Sequence, residues 1–228
     1  VVFARARDSA ERLGLEAPRA QALSGIGEAR YWQAQYAPAR EAASASLAIY
    51  ERLASSAAGV ERQRLEHGIG RSNHVLSMVA EQEGKTSEAA QYAERAIAAQ
   101  EAAGNRWGRA VSTLQLLRVA RLEPTARTPL YERAVADARA APDKVLEARA
   151  LHSFGDYLFN RGAYVESLAK LEAAAALFTE PGRQLELERA ALRLELRDER
   201  VGMTARAGAV RDDAWHPAGA ERRRGERG

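Results

Sequence analysis

Apolar residues recur at intervals of three and four along most of this chain, which is the spacing of a helix that buries one face. The clearest case is residues 150–178, where Leu151, Phe154 and Leu158 form one stripe and a second stripe follows Gly162. Glycine readily adopts the left-handed backbone conformation that often ends a helix. This stretch therefore predicts two helices joined by a tight turn.

Gly155 lies on the same helical face as Leu151 and Leu158. A glycine within a helix costs roughly 1 kcal/mol relative to alanine, so its presence calls for a packing reason. We predict that the missing side chain lets the second helix of the pair approach closely. The small residues Ala174 and Ala175 would serve the same end from the approaching helix.

The same apolar period predicts helices from the start of the chain to about residue 200. The predicted segments are residues 1–13, 19–35, 37–53, 61–83, 107–122, 128–141 and 183–197, with a further helix between Gly84 and Gly104. Pro18 is expected in the turn before the second segment, and Pro124 and Pro129 in a long turn before residue 128. Gly68 and Gly70 are candidate break points in the longest segment.

Beyond about residue 200 the apolar period is lost, and glycine and clustered arginine take its place. Such a segment cannot bury enough apolar surface to offset the entropy of ordering. We therefore predict one helical domain over residues 1–200 and a disordered tail over residues 201–228. Val1 stands where a methionine would start a complete chain, which favours a fragment of a longer array.

Composition supports an all-α fold, because alanine and arginine are good helix formers and strand-favouring residues are sparse. The net charge is +3 over 228 residues. A nucleic-acid-binding domain usually concentrates far more positive charge, so this balance argues against a nucleic-acid partner. The arginine and alanine excess is typical of GC-rich bacterial genomes and favours a bacterial protein.

The chain contains no cysteine, which excludes disulfides, cysteine-ligated metals and thiol nucleophiles. This absence fits a cytoplasmic protein and is also compatible with the periplasm. No apolar run approaches the ~18 residues of a membrane-spanning helix. We therefore expect no membrane partner.

The helix pair over residues 150–178 resembles the tetratricopeptide repeat, a helix–turn–helix unit of about 34 residues. The residues that carry the resemblance are Leu151, Phe154, Gly155, Leu158, Gly162, Tyr164, Leu171 and Ala174, with Ser167 where the family usually has alanine. The pattern recurs at Leu23, Ile26 and Gly27. The spacing between the clearer copies is wider than the family norm, at about 40 to 50 residues.

This resemblance implies a right-handed superhelix, or solenoid, of antiparallel helix pairs whose first helices line a concave groove. It also implies a protein- or peptide-binding scaffold inside a larger bacterial signalling or transcription-regulatory protein. The alternative is a sensor module that binds a small ligand in the same groove. The candidate groove residues are Glu28, Tyr31, Trp32, Arg71, His74, Met78, Arg109, Arg149, His152, Asp156 and Asn160.

No catalytic, cofactor or metal site is predicted, and we expect that the chain is not an enzyme. Gly84-Lys85-Thr86 resembles the end of a phosphate-binding loop, but Val79 stands where that loop needs its first glycine. The histidines do not show the spacing of a metal site.

Overall fold

The computed structural model describes residues 2–177, and all regular secondary structure within them is α-helical. This confirms the all-α prediction. The helices are α1 (Val2–Arg12), α2 (Glu16–Trp32), α3 (Tyr36–Ala54), α4 (Gly59–Gln82), α5 (Thr86–Ala102), α6 (Arg106–Val119), α7 (Pro124–Arg139), α8 (Lys144–Asn160) and α9 (Tyr164–Leu177). The predicted helix at residues 183–197 and the predicted tail at residues 201–228 lie outside the described residues.

The turn between α8 and α9 forms where the sequence predicts it. Gly162 has a φ of +80°, in the left-handed region that glycine tolerates best. The Ala163 N–H donates to the Leu158 carbonyl at 3.0 Å, which satisfies a carbonyl in the last turn of α8. The α2–α3 turn uses Ala34 for the same purpose, with a φ of +58°.

Three proline and glycine expectations are wrong. Pro18 lies in the first turn of α2, where the backbone N–H groups have no hydrogen-bond partner within the helix, so a proline costs nothing there. Pro124 is the first residue of α7 and Pro129 lies inside that helix, so the expected long turn is shorter. Gly68 and Gly70 do not break α4, which runs for 24 residues. Each of these two glycines instead receives a side chain from another helix.

From α1 to α7, each helix packs against the next. Helix α4 also contacts α2 and α6, so α2, α4 and α6 form one layer and the helices between them lie against that layer. Alanine dominates the α3–α4 contact, where Ala39 and Ala43 pack with Val75, Leu76 and Val79. Small side chains allow the helix axes to come close, which explains how an alanine-rich sequence builds a dense core.

The chain divides into two compact units, Val1–Phe154 and Gly155–Gly228. The first unit contains α1 to α7 and most of α8. In the second, α9 packs on Gly155, where an added Cβ would lie 2.7 Å from Leu171 Cγ and 3.3 Å from the Ser167 carbonyl oxygen. The close approach predicted at Gly155 is confirmed, and the atoms nearest to it belong to Leu171 and Ser167.

Candidate binding site

Polar side chains connect α2 with α4 and α4 with α6 on one side of the helix layer. We call this surface the α2–α4–α6 face. Arg71 on α4 donates to Glu28 on α2 at 2.7 Å. Arg118 on α6 donates to Glu81 on α4 at 2.6 Å. Because both pairs are partly exposed, each adds little to stability, and their side chains remain open to exchange for a ligand.

Two aromatic residues stand at the C-terminal end of α2, and one of them, Tyr31, contacts α4 on this face. Tyr31 is half-buried and Trp32 is 73% exposed, with ring centroids 5.2 Å apart in an edge-to-face arrangement. The Tyr31 hydroxyl also lies 3.5 Å from the Gln82 amide of α4. An exposed tryptophan held beside a fixed aromatic ring is a typical anchor for a macromolecular partner.

His74 lies in the middle of the face and is only partly accessible. Its Nδ1 atom is buried, with no hydrogen-bond partner among the described residues. Burial lowers the pKa of His74 to about 4, and the Glu28 carboxylate opposes this shift. The positive charges of Arg118 and Arg149 push the pKa further down. His74 is therefore a neutral imidazole near pH 7 and contributes no positive charge to the face.

A cleft of about 600 Å³ opens at the N-terminal end of the same layer. It lies between the first halves of α2 and α4 and reaches the turn before α6. Its lining residues are Ala17, Pro18, Gln21, Ser24, Tyr50, Val60, Glu61, Gln63, Arg64, Leu65, His67, Gly68, Arg71, Ala103 and Asn105. The cleft thus combines an apolar floor with hydroxyl, amide, imidazole and guanidinium groups.

The Tyr50 side chain reaches this cleft because α4 has a glycine where the ring lies. A Cβ at Gly68 would overlap the Tyr50 ring, with its Cε2 only 2.5 Å away. The neighbouring His67 is held by amides, with Asn105 Nδ2 at 2.8 Å and Gln100 Oε1 at 3.3 Å from its Nδ1 atom. These contacts fix the cleft wall on the α4 and α6 sides.

Several predicted groove residues lie on the α2–α4–α6 face or beside it, and others do not. Met78 is buried in the α3–α4 cluster with Val75 and Val79, so it packs in the core. Arg109 pairs with Asp137 at 2.5 Å and with Glu101 at 3.3 Å, so its guanidinium is committed to α7 and α5.

The remaining candidates lie on α8. Arg149 is exposed and His152 is half-buried, and both belong to the first compact unit. Asp156 and Asn160 belong to the second unit, where Asp156 is half-buried and Asn160 is exposed.

The apolar pattern did not single out three residues that line the cleft: Tyr50, Arg64 and Asn105. Tyr50 lies on the buried face of α3, so an apolar pattern counts it as a core residue and gives no signal for its hydroxyl group. The available signal was Gly68, because a helical glycine indicates that something large packs on it.

Comparison with protein-family models and with curated proteins finds no match for this chain. Within residues 2–177, no cluster of three or more metal-ligating side chains is present. No helix of the described part is both long and apolar enough to cross a membrane.

Proposed function

We propose that this chain is a helical-repeat scaffold of the tetratricopeptide type that binds a protein or peptide segment on its α2–α4–α6 face. The proposal includes the superhelical arrangement of helix pairs and a place within a larger bacterial regulatory protein. The observation that carries it is Trp32, which is 73% exposed beside Tyr31 at the edge of a continuous helix layer. Tryptophan and arginine provide most of the binding energy at many protein interfaces.

The contact between α2, α4 and α6 also supports this proposal. Each helix pair of a repeat array buries its apolar face against its neighbours. Such stacking requires that the first helices of successive pairs contact one another, with the second helices behind them. The contacts of α4 with α2 and α6 agree with this requirement. The layer then presents one side to a partner, and Arg71 and Arg118 lie on that side, paired with Glu28 and Glu81 respectively.

A pull-down from a bacterial lysate tests the first function, with Trp32→Ala compared with Trp107→Ala. Trp107 is the matched control because it is also an exposed tryptophan, at 44%, and its indole N–H is bound to Asp143. We expect a retained protein that is lost with Trp32→Ala and kept with Trp107→Ala. Equal retention by both variants would count against the α2–α4–α6 face.

The second candidate function is a sensor module that binds a small molecule, and the cleft at the N-terminal end of the layer favours it. A cleft of about 600 Å³ lies in the range of small-molecule sites. A ligand that binds the folded state raises the melting temperature without any protein partner. Stabilisation of the purified chain by a small molecule would therefore support this function over the first.

A further inference from the structure

Ser24 is the most unusual polar group of the cleft. Its side chain is 1% exposed and its hydroxyl has no hydrogen-bond partner in the described part of the chain. Buried hydroxyls are nearly always hydrogen-bonded, because leaving one unpaired is costly. Elsewhere the same chain obeys this rule, since Ser46 and Ser77 each donate to a backbone carbonyl of another helix at 2.7 Å.

Tyr50 provides a second hydroxyl in the same cleft. It has no hydrogen-bond partner among residues 2–177, and its ring is held in place over Gly68. Burial raises the pKa of Tyr50, and the positive charge of Arg71 partly offsets this shift. Tyr50 and Arg71 both line the cleft, so both border the space that a ligand would occupy.

Arg71 keeps donor capacity for a ligand. Within residues 2–177, Glu28 accepts from its Nη2 atom at 2.7 Å, and a guanidinium has five N–H donors. Among the same residues, the second guanidinium of the cleft, Arg64, lies 3.8 Å from its carboxylate partner Glu61. Arg64, Arg71 and Glu61 line the cleft, and Glu28 beside it offsets part of the Arg71 charge, so the cleft suits a ligand with a low negative charge.

Part of the lining is apolar enough to hold a hydrocarbon body. Ala17 and Pro18 of α2 lie on one side, with Val60 and Leu65 of α4 on the other. The cleft therefore offers hydrogen-bond donors for an anionic head group and carbon surface for the remainder of the ligand. This distribution is typical of sites for small amphipathic molecules.

We propose that the cleft binds a small organic monocarboxylate. The carboxylate accepts hydrogen bonds from Arg71 and from the hydroxyls of Ser24 and Tyr50, and the apolar body lies between Pro18 and Leu65. This inference rests on the second candidate function, that a small molecule enters the cleft, and it adds the chemical class of the ligand. It does not depend on the protein partner proposed for the Trp32 region.

The experiment measures binding of 4-phenylbutyrate to the full chain by saturation-transfer NMR, which detects weak ligands. The comparison probes are 4-phenylbutanamide, which is neutral, and 2-phenylethyl phosphate, which is a dianion near pH 7. Arg71→Met and Ser24→Ala test the head-group contacts. Arg133→Met is the matched control. The Arg133 side chain is 41% exposed and forms an ion pair of 2.7 Å, and the Arg71 side chain is 37% exposed and also forms an ion pair of 2.7 Å.

We expect the carboxylate to bind about tenfold more tightly than the amide, since hydrogen bonds to a charged group are the strong ones. Arg71→Met should weaken carboxylate binding about tenfold, and Arg133→Met should leave it unchanged. The comparison between probes uses wild-type protein, so it stays decisive if a cleft variant fails to fold.

Equal binding of the carboxylate and the amide would overturn the carboxylate assignment but keep the small-molecule function. Tighter binding of the phosphate than of the carboxylate would also overturn the assignment to a monoanion. Binding of none of the three probes would count against both the assignment and the second candidate function. Loss of binding in Arg133→Met as large as in Arg71→Met would place the ligand outside the cleft.

Discussion

At the scale of single residues, His74 shows how burial changes what a side chain can contribute to a binding face. The sequence makes it a candidate groove residue, and burial in the structure keeps it neutral near pH 7 by lowering its pKa to about 4. The groups around it are Glu28 on α2, Arg118 on α6 and Arg149 on α8. The positive charges that act on His74 in this part of the structure come from Arg118 and Arg149.

The first prediction concerns pH. The unfolded chain protonates His74 near pH 6.5 and the folded chain only near pH 4, so the unfolded state binds the extra proton between these values. The free energy of unfolding should fall as the pH drops from 6.5 to 4, by on the order of 2–3 kcal/mol.

Urea unfolding across this pH range checks the prediction. The His74→Gln variant should lose most of the slope between pH 6.5 and 4, while His67→Gln on the same helix should keep it. Glu83 and Glu147 also have lowered pKa values, because Arg40 and Arg139 respectively donate to them. Both variants retain those carboxylates, so the difference between the two slopes isolates His74.

The second prediction concerns the close approach at Gly155. Gly155→Leu should lower the free energy of unfolding by about 1–3 kcal/mol, because the new side chain overlaps Leu171. The same substitution in a Leu171→Ala background should cost less, since the added volume then fills the space left by Leu171. Denaturant unfolding followed by circular dichroism measures both. An equal cost in the two backgrounds would show that these residues do not meet.

At the scale of helices, a buried amide connects α4, α5 and α6. Gln100 of α5 lies between Gly70 of α4 and Gly108 of α6, and a Cβ at either glycine would come within 2.5 Å of its side chain. Its amide contacts the His67 carbonyl at 3.4 Å and the Asn105 side chain at 2.8 Å. The two glycines therefore make room for a polar group that three helices share.

The third prediction is that Gln100→Ala lowers the free energy of unfolding by about 2 kcal/mol, because it leaves a cavity and removes hydrogen bonds from buried partners. Gln91→Ala, at an exposed position of the same helix, should change it by less than about 0.5 kcal/mol. Thermal and urea unfolding of the two variants provide the comparison. Similar small effects for both would mean that the amide cluster is not a stabilising element.

At the scale of the first compact unit, α4 is the helix with the most neighbours, since it contacts α2, α3, α5 and α6. Helix α1 contacts α2 and lies at the start of the unit. Under the repeat arrangement proposed above, stability comes from each interface between neighbouring helices. Local opening should therefore be easiest at α1 and hardest at α4.

The fourth prediction is that amide hydrogen exchange followed by mass spectrometry shows the slowest exchange in α4 and the fastest helical exchange in α1. Protection reports the free energy of local opening. Exchange in α1 as slow as in α4 would contradict the nearest-neighbour description and indicate a single cooperative unit.

The sequence predicted the number and order of helices over residues 2–177, because apolar period and turn glycines are local signals. It also predicted the turn at Gly162. It failed for Pro18 and Pro124, since a proline that breaks a helix and one that starts a helix differ only in the preceding context. The sequence could not predict the cleft, because the cleft depends on the contact of the Tyr50 ring with Gly68, which lie on different helices.

Helix α4 carries two glycines that face different neighbours: Gly68 takes the Tyr50 ring of α3, and Gly70 takes the Gln100 amide of α5. The spacing between these two glycines fixes which faces of α4 meet α3 and α5, because one inserted residue between them would rotate the later part of the helix by about 100°. Chimeric arrays made by exchanging segments between related chains should therefore join at the turns, for example at Gly84 or Gly104. A junction between the two glycines of α4 would separate these two contacts, and each depends on the position of the other along the helix.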